Sequence, residues 1–349
     1  MNTMGYWQDI KCVASSHLPW DKLSGKNILV TGASGLIGSC IVEVLMSRSL
    51  IDYDVYASGR NMQRLEYLFG NYNQNGKLHF VQHDVTKPLL LNTDFHFIIA
   101  AASGANPKLY AVDPVGVMKA NFMGVDNLMQ YGKEHHLEKF VFISSGEVYG
   151  EGDGRVFSEN YSGYVDCASV RACYPSSKRA AETLCIAYGE QFHINVSIAR
   201  LSHIYGPHFT DSDTRVYAQF IRNIIREENI VMKSTGSQFR SWCYIVDCAS
   251  AILHILMKGE PSQAYNVADE DSNISIKELA EKIAQIGQKK VVMDIPDEIE
   301  RKGFNVVTKS IFSTQKLEKL GWHPLFSIED GLKHTVDECK KRKHERNDN

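Results

Sequence analysis

The chain has 349 residues, 44% of them hydrophobic, which is enough for two domains or for one large domain with an added lobe. Its net charge of −3 comes from interspersed positive and negative residues, and no stretch approaches the roughly twenty apolar residues of a membrane span, so neither nucleic acid nor a membrane is predicted as a partner. The eight cysteines form no C-x-x-C pair and no zinc-like cluster with histidine, which predicts reduced thiols, no metal site and a cytoplasmic location.

Residues 1–24 precede the first predicted strand and are predicted to form an N-terminal helical arm. Their apolar residues are Trp7, Ile10, Val13, Leu18, Trp20 and Leu23. So many apolar side chains indicate an arm that packs on the body of the protein or on a second subunit. The arm has no basic region followed by an apolar core, so no export signal is expected.

A strand followed at once by three glycines is the strongest feature of the sequence. Residues 26–38 read K-N-I-L-V-T-G-A-S-G-L-I-G, and the apolar run 28–30 is typical of a buried parallel strand. The glycines allow a tight turn, a close approach to a pyrophosphate and close packing of a helix on the strand. The phosphates would lie at the N-terminus of that helix, where free N–H groups favour an anion. A dinucleotide site is therefore predicted at Gly32, Gly35, Leu36, Ile37 and Gly38.

The end of the second predicted strand, residues 54–57, bears on the identity of the dinucleotide. An acidic residue at this place would bind the ribose 2′-hydroxyl of NAD, whereas a nearby arginine accommodates the 2′-phosphate of NADP. The chain continues as Ser-Gly-Arg-Asn over 58–61, with no acid. Arg60 is therefore predicted to contact the cofactor, and NADP is favoured over NAD.

Three further segments are predicted to line the cofactor. The third strand, 78–81, leads to the edge of an adenine pocket, and the fourth strand, 95–102, ends in small residues that let the backbone approach the dinucleotide. A helix over about 113–132 follows. The residues of these segments that are predicted to contact the cofactor are Asp84, Val85, Ala101, Ala102 and Asn121.

Strand five, 139–145, continues an alternation of strands and helices. Such alternation predicts right-handed β-α-β units and a doubly wound parallel sheet of the α/β class. We place this dinucleotide-binding domain at 25–200, with a later return near 240–260. The alternation then weakens, which predicts a smaller α/β lobe over 201–340 and a charged tail over 341–349.

A tyrosine and a lysine one helical turn apart form the predicted catalytic group. The motif Y-P-S-S-K at 174–178 opens the helix after strand five, and proline suits the first turn of a helix. Tyr174 and Lys178 then lie on one face of that helix. A phenol with a pKa of about 10 is a poor base at neutral pH, but a nearby ammonium favours its anion. Tyr174 is therefore the predicted base.

With these motifs, the chain resembles the extended short-chain dehydrogenase/reductase family that modifies nucleotide sugars. The motifs that carry the resemblance are T-G-A-S-G-L-I-G at 31–38, Asn121, S-S-G-E-V-Y-G at 144–150, Y-P-S-S-K at 174–178, Y-G-P at 205–207, Arg240, Y-I-V-D at 244–247 and Y-N-V-A at 265–268. The similarity spans roughly residues 25–340. It implies a Rossmann domain that retains NAD or NADP tightly, and a nucleotide-diphosphate sugar as substrate.

The resemblance also implies the first chemical step. Tyr174, assisted by Ser145 and Lys178, would take the proton of a sugar hydroxyl, usually at C4, while a hydride passes to the nicotinamide and a 4-keto sugar forms. Lys178 would also hold the nicotinamide ribose. A sensor that binds dinucleotide without catalysis would lack Tyr174 or Lys178, and both are present.

The motif at 145–147 bears on what happens to the keto sugar. Dehydratases of the family have Thr-Asp-Glu where this chain has Ser145, Gly146 and Glu147, and the missing aspartate is the acid that protonates the departing C6 hydroxyl. Glu147 remains as a catalytic base at C5 or as a residue that orients the sugar. Decarboxylases of UDP-glucuronate need no such acid, because a β-keto acid loses carbon dioxide once C4 is oxidised.

Two pairs of stretches resemble the UDP-glucuronate decarboxylases in particular. They are 171–174 with 178–183, and 213–216 with 236–240. That subgroup usually has serine at Gly146 and His-Leu-Ala at 100–102, where this chain has Ala-Ala-Ala, so the chain departs from it in both places. A UDP-glucuronate decarboxylase-like enzyme is the main prediction. The first alternative is a nucleotide-sugar 4-epimerase or 4,6-dehydratase. The second alternative is an NADPH-dependent keto-sugar reductase, which Arg60 favours.

The C-terminal lobe is predicted to hold the substrate. A guanidinium fork matches phosphate oxygens, so Arg215 and Arg240 are the candidates for the substrate pyrophosphate. Asp247 is interpreted as a helix N-cap, and Ser275 with Glu278 as a capping box.

The last predictions concern assembly and the end of the chain. The family commonly dimerises through a four-helix interface, which segments near 113–132 and 174–192 would supply, so a homodimer is expected. A closing helix is predicted over 325–339, and the basic run at 340–343 is interpreted as its solvated end.

Overall fold

The computed structural model describes residues 5–294 and 309–347. Its strands in the described residues are β1 Asn27–Thr31, β2 Asp54–Gly59, β3 Leu78–Gln82, β4 Phe97–Ala100, β5 Lys139–Ser145, β6 Val196–Leu201, β7 His203–Tyr205, β8 Ile230–Met232, β9 Phe239–Tyr244, β10 Gln263–Val267, β11 Asn273–Ser275, β12 Val291–Met293 and β13 Lys309–Ser310. Seven of them form one parallel sheet in the order β10-β6-β5-β4-β1-β2-β3. The predicted doubly wound α/β fold is confirmed.

Helices cover both faces of this sheet. The helices are α1 Tyr6–Ala14, α2 Leu36–Met46, α3 Met62–Phe69, α4 Pro107–Val112, α5 Pro114–Glu134, α6 Cys173–Phe192, α7 Val216–Ile225, α8 Ile245–Lys258, α9 Ile276–Ile286, α10 Gln315–Glu318 and α11 Ile328–Asn347. Helix α2 packs against α8 on one face, and α5 packs against α6 on the other. None of the helices in the described ranges is long and apolar enough to cross a bilayer.

The side chains of the central strands alternate between two cores. Ile28 and Val30 of β1 join the core beneath α2 and α8, whereas Leu29 joins the core beneath α5 and α6. All three side chains are fully buried. The continuous apolar run at 28–30 thus follows from a strand with two buried faces.

Strand β4 is shorter than the predicted 95–102. It ends at Ala100, because the backbone then turns: the Ala101 N–H donates to the Ile99 carbonyl at 3.2 Å, and the Ala102 N–H donates to Thr31 Oγ1 at 3.3 Å. This turn directs the small residues across the end of β1, where the glycine loop begins.

The N-terminal arm lies on the body of the same chain. Tyr6, Ile10 and Val13 of α1 are buried, and α1 contacts α2, α8 and α11. Of the six apolar side chains that predicted a packed arm, five belong to the main core, and Trp7 is 38% exposed.

The C-terminal lobe is built around strand β9, which pairs with β7, β11 and β13, while β8 pairs with β12. Helices α7, α9 and α11 pack together in the lobe. Helix α8 returns to the large sheet, as does β10 at its edge. The domain limits proposed from the sequence at residues 25, 201 and 341 stay predictions.

Two helix ends differ from the sequence prediction and one agrees with it. Asp247 is not the N-cap of α8, because the helix begins at Ile245 and the Asp247 carboxylate instead accepts the Leu325 N–H at 2.7 Å. The capping box of Ser275 and Glu278 is confirmed. Helix α11 extends past the predicted end at residue 339, and residues 348–349 of the expected charged tail lie outside the described residues.

Candidate active site

The turn from β1 into α2 has no room for a side chain at two of its glycines, Gly32 and Gly38. Gly32 has φ +65°, and a Cβ atom there would lie 2.8 Å from the Ala102 Cα atom. A Cβ atom on Gly38 would lie 2.5 Å from the Gly32 carbonyl oxygen. The loop therefore requires glycine at both positions, for a left-handed turn and for close helix packing.

This loop leads into the N-terminus of α2, which no side chain caps. The N-cap residue is Gly35, and it makes no side-chain cap hydrogen bond. Leu36 is buried and Ile37 is partly buried in the first turn. The uncapped N–H groups of an 11-residue helix, with glycine at residues 32 and 35 before it, fit the pyrophosphate of a dinucleotide, so the geometry suits the residues predicted there.

Strands β2 and β3 place the next predicted residues at the rim of this loop. Arg60 is exposed and follows Gly59, where a Cβ atom would lie 3.4 Å from Ser34 Oγ in the glycine loop. Asp84 accepts hydrogen bonds from the Thr86 N–H at 3.0 Å and the Thr86 hydroxyl at 2.9 Å. The bond to the Thr86 backbone is the largest of the effects that lower the pKa of Asp84, and the charge of Arg60 adds to them.

Val85 and Asn121 lie inside the cleft between the glycine loop and α5. Val85 is nearly buried against Gly124, where a Cβ atom would lie 3.1 Å from Val85 Cγ2. The Asn121 side chain accepts from Ser103 Oγ at 2.8 Å and donates to Ser177 Oγ at 3.0 Å. Asn121 thus ties the loop after β4 to the first turn of α6.

Strand β5 and helix α6 bring the predicted catalytic residues together. The Ser145 side chain lies close enough to the Tyr174 hydroxyl to lower the pKa of the phenol, and Tyr174 is only 5% exposed. Lys178 Nζ donates to the Ile143 carbonyl at 2.7 Å and lies 5.9 Å from the centroid of the Tyr174 ring. Both side chains therefore face the end of β5, as the four-residue spacing predicts.

Burial has the largest effect on the acidity of both groups. It raises the pKa of Tyr174 to about 12; the negative charge of Glu147 acts in the same direction, and the hydrogen bond with Ser145 opposes it. Burial also lowers the pKa of Lys178 to about 7, against the charge of Glu182. The expected lowering of the tyrosine pKa is wrong in sign here, because lost hydration and the charge of Glu147 outweigh Ser145 and the positive charge of Arg215.

Glu147 is held at the mouth of the cleft by a partner that the sequence analysis missed. Its Oε1 atom accepts from Arg171 Nη2 at 2.8 Å. The Arg171 guanidinium lies 4.8 Å from the centroid of the Tyr110 ring, and that ring stacks on Tyr174 at 4.8 Å and 20°. Glu147, Arg171, Tyr110 and Tyr174 thus form a continuous row of contacts from the mouth of the cleft to the catalytic tyrosine.

The backbone at Gly146 is covered by an aromatic ring from the far end of the chain. A Cβ atom on Gly146 would lie 2.0 Å from Phe312 Cζ. The Phe312 N–H donates to Ser241 Oγ at 3.0 Å, and the ring is 1% exposed. This part of the turn after β5 therefore has no space for a side chain.

The two arginines predicted to bind pyrophosphate lie in the C-terminal lobe. Arg215 Nη2 donates to Asp213 Oδ2 at 2.6 Å and to the Tyr217 hydroxyl at 3.1 Å. Arg240 is 8% exposed and donates to the Phe239 carbonyl at 2.8 Å. The charges of both arginines act on His203, and the charge of Arg215 also acts on Tyr174.

A family model, described as the NAD dependent epimerase/dehydratase family, matches residues 28–268. The chain belongs to this family. UDP-glucuronic acid decarboxylase 6 of Arabidopsis thaliana is 32% identical over 316 residues, which cover 88% of this chain and 87% of the relative. Family membership identifies the chain as an NAD-dependent enzyme of the epimerase/dehydratase type.

Solved structures of epimerases share the fold. An epimerase from Methanothermobacter thermautotrophicus has a TM-score of 0.81 at 17% identity, with 98% of each chain covered. A UDP-glucuronic acid 4-epimerase from Bacillus cereus, solved with UDP-glucuronic acid and NAD, has a TM-score of 0.75 at 24% identity, covering 90% of this chain and 99% of that one. The Rossmann domain and the lobe beside it are thus features that the chain has in common with these proteins.

Proposed function

We propose that the protein oxidises the C4 hydroxyl of a nucleotide-diphosphate sugar with a retained cofactor, and that it acts as a UDP-glucuronate decarboxylase. The observation that carries the oxidation step of this proposal, and that argues against dehydration, is the turn after β5. It brings Ser145 to Tyr174 while the Phe312 ring covers Gly146. The enzyme thus has a group for oxidation at C4 and no space for an acid at residue 146. The similarity to UDP-glucuronic acid decarboxylases supports the same reaction.

In the oxidation, Tyr174 accepts the proton of the sugar hydroxyl, and Ser145 donates a hydrogen bond that favours the phenolate. Lys178 is held against the Ile143 carbonyl, where its ammonium form adds positive charge and can bind a ribose hydroxyl. The nicotinamide, when bound, supplies the hydride acceptor and a positive charge. Residues around the glycine loop, which has no room for side chains at Gly32 and Gly38, would hold the pyrophosphate.

The covered position at Gly146 distinguishes decarboxylation from dehydration. Loss of water from C6 requires an acid to protonate the leaving hydroxyl, and a side chain at residue 146 would collide with Phe312. Loss of carbon dioxide from a 4-keto sugar acid needs no such acid, since the electron pair of the broken bond enters the adjacent ketone as an enolate. Glu147, paired with Arg171, remains to exchange a proton at C5.

A 4-epimerase is the second candidate, because epimerisation also uses Ser145, Tyr174 and Lys178 without an acid at residue 146. The likeness of the fold to a UDP-glucuronic acid 4-epimerase is compatible with it. These three residues serve both reactions, and the mass of the product distinguishes them. The reductase prediction depends on Arg60 alone.

The finer cofactor assignment also stays a proposal. Arg60 is exposed beside the glycine loop, at the end of a strand that has no acid, which favours NADP over NAD. Denaturing the purified protein and identifying the released dinucleotide by mass would decide between the two. Release of NAD alone would contradict the assignment to NADP.

We also propose a cytoplasmic homodimer. All eight cysteines are free, which agrees with a reducing compartment. On α5, the side chains of Val115, Met118 and Phe122 are 61%, 44% and 43% exposed, and their spacing of three and four residues places them on one face. A Phe122→Glu change is expected to convert a dimer to a monomer, which light scattering would measure; unchanged mass would contradict an interface through α5.

The test of the reaction uses the purified protein without added cofactor. UDP-glucuronate, UDP-glucose and dTDP-glucose are incubated separately, and the products are analysed by mass and by anomeric NMR. Loss of carbon dioxide from UDP-glucuronate is expected, and Tyr174→Phe is expected to abolish it. A product of unchanged mass would establish the epimerase instead. No turnover of these three substrates, with steady NADPH consumption when a 4-keto sugar nucleotide is supplied, would establish the reductase.

A further inference from the structure

The Arg171 side chain lies at the mouth of the catalytic cleft with most of its hydrogen-bonding capacity unused. Within the described residues, its guanidinium makes one side-chain hydrogen bond, from Nη2 to Glu147 at 2.8 Å. The side chain is 50% exposed, and that of Glu147 is 37% exposed. A guanidinium carries five N–H donors in a planar fork, so an open edge remains for a second acceptor.

Other arginines near the site differ in this respect. The guanidinium of Arg200 makes bonds to Glu182, Tyr149 and Glu159, and its side chain is only 16% exposed. Arg179 donates to two backbone carbonyls, those of Val148 and Gly163. These two arginines hold the protein together, whereas Arg171 is half exposed beside Glu147 and Tyr110.

The Tyr110 ring fixes where the Arg171 guanidinium lies. The guanidinium is 4.8 Å from the centroid of the Tyr110 ring, and the Tyr110 ring stacks on Tyr174 at 4.8 Å. A planar cation stacked on an aromatic ring loses little freedom when it binds a ligand. Arg171 is thereby positioned one ring away from the residue that acts at C4.

We propose that Arg171 binds the carboxylate of an acidic nucleotide sugar and so selects uronates over neutral sugars. This inference rests on the proposed function, in which Tyr174 acts at C4. The C6 carboxylate is attached to C5, the neighbour of C4, and therefore projects to the side of the site that Glu147 and Arg171 occupy. A bidentate contact of carboxylate with the open edge of the guanidinium satisfies both groups.

The charges in this region explain why a cation is needed. Glu147 already places one negative charge beside Tyr174. A uronate brings a second carboxylate, and two carboxylates without a cation between them repel each other. After carbon dioxide leaves, the remaining sugar is neutral, so Arg171 returns to Glu147 alone and the product is bound less tightly than the substrate.

Binding measured by calorimetry tests this proposal with three probes: UDP-glucuronate, UDP-glucose and UDP. For Arg171→Gln, we expect the dissociation constant of UDP-glucuronate to rise at least about tenfold, because a charge-assisted pair is lost. The constants for UDP-glucose and UDP should change less than about twofold, since neither carries a C6 carboxylate. Arg171→Lys keeps the charge without the fork and should give an intermediate value.

Arg155→Gln is the matched control. Like Arg171, Arg155 pairs with a carboxylate, that of Asp153, and contacts a tyrosine ring. Its side chain is 75% exposed, and its change should leave all three constants unaltered. Equal weakening of all three probes by Arg171→Gln would overturn the inference, because Arg171 would then act only through Glu147 or the loop. If the wild type binds UDP and neither sugar nucleotide, the proposed function fails as well, which is a distinguishable result.

Discussion

At the scale of single residues, Lys178 combines a catalytic position with an unfavourable environment. The residue is 2% exposed, and its ammonium donates to the Ile143 carbonyl at 2.7 Å and lies 4.5 Å from the centroid of the Phe142 ring. Burial lowers its pKa from 10.5 to about 7. Between these two values the unfolded chain binds the proton and the folded protein does not, so the free energy of unfolding rises with pH across this window.

Lys178→Met is therefore expected to separate stability from activity. Removing a buried charge should raise the free energy of unfolding at pH 7 by about 1–3 kcal/mol and remove part of its rise between pH 7 and 10. The same change should lower kcat by at least about a hundredfold, because the cation that favours the phenolate is lost. Urea unfolding at pH 7 and pH 9, together with the decarboxylation rate, measures both effects.

Lys139 provides the control for this prediction. It is another buried lysine, 3% exposed, whose pKa burial lowers to about 8, and its Nζ donates to Asn195 Oδ1 at 2.9 Å and to the Gly259 carbonyl at 2.6 Å. Lys139 is the first residue of β5, at the opposite end of the strand from Ser145 and the catalytic residues. Lys139→Met should change stability in the same pH window and leave kcat unaltered. An equal loss of kcat in both variants would mean that Lys178 acts through folding alone.

At the scale of elements, the turn after β5 depends on the segment that carries Phe312. The Phe157 N–H donates to the Ile311 carbonyl at 2.7 Å, and the Ser313 N–H donates to the Phe157 carbonyl at 2.9 Å. These bonds hold the Phe312 ring against Gly146, in a cluster with Tyr149. The geometry of Ser145 and Glu147 is thus supported by residues that follow them by more than a hundred positions.

A double-mutant cycle at Gly146 and Phe312 tests this contact. Gly146→Ser alone should cost about 1–3 kcal/mol, because the new Cβ atom meets the ring, and Phe312→Ala alone should cost about 3 kcal/mol of buried contact. The double variant should be less destabilised than the sum by at least about 1 kcal/mol, since the smaller residue makes room. Urea unfolding measures all three variants. Additive losses would mean that the two positions do not touch.

The elements that could be predicted from sequence are those with local patterns. The apolar run 28–30, the three glycines and the Tyr174–Lys178 spacing each depend on neighbours within one turn or one strand, and the structure has them in the expected elements. The stack of Arg171 on Tyr110 and the contact of Phe312 with Gly146 join distant parts of the chain. No local periodicity encodes such pairs, so they became visible only in the fold.

The same limit explains why the pKa shift of Tyr174 was predicted with the wrong sign. Its spacing from Lys178 correctly placed both side chains at the end of β5, but a spacing contains no information about burial. The depth of the site comes from α4 and α5, through residues such as Tyr110, and this depth reverses the sign of the pKa shift.

At the scale of the whole molecule, the first helix and the last are joined by a buried polar contact. Asp9 of α1 is 1% exposed, and its Oδ2 atom lies 2.6 Å from His334 Nδ1 of α11 and accepts from the Tyr244 hydroxyl at 2.9 Å. Tyr244 ends β9, the strand that carries Arg240. The arm therefore connects the Rossmann side of the molecule to the lobe proposed to bind the substrate.

Asp9→Ala is expected to lower the free energy of unfolding by about 3 kcal/mol, because it leaves two buried polar groups, on Tyr244 and His334, without their acceptor. Asp21→Ala, an exposed acid of the same arm, should change it by less than about 0.5 kcal/mol. Urea unfolding of both variants measures the difference. An equal, small loss in both would mean that apolar burial alone holds the arm, since Tyr6, Ile10 and Val13 remain in place. A large loss confined to Asp9→Ala would instead establish that the contact among α1, β9 and α11 is a structural link between the two parts of the molecule.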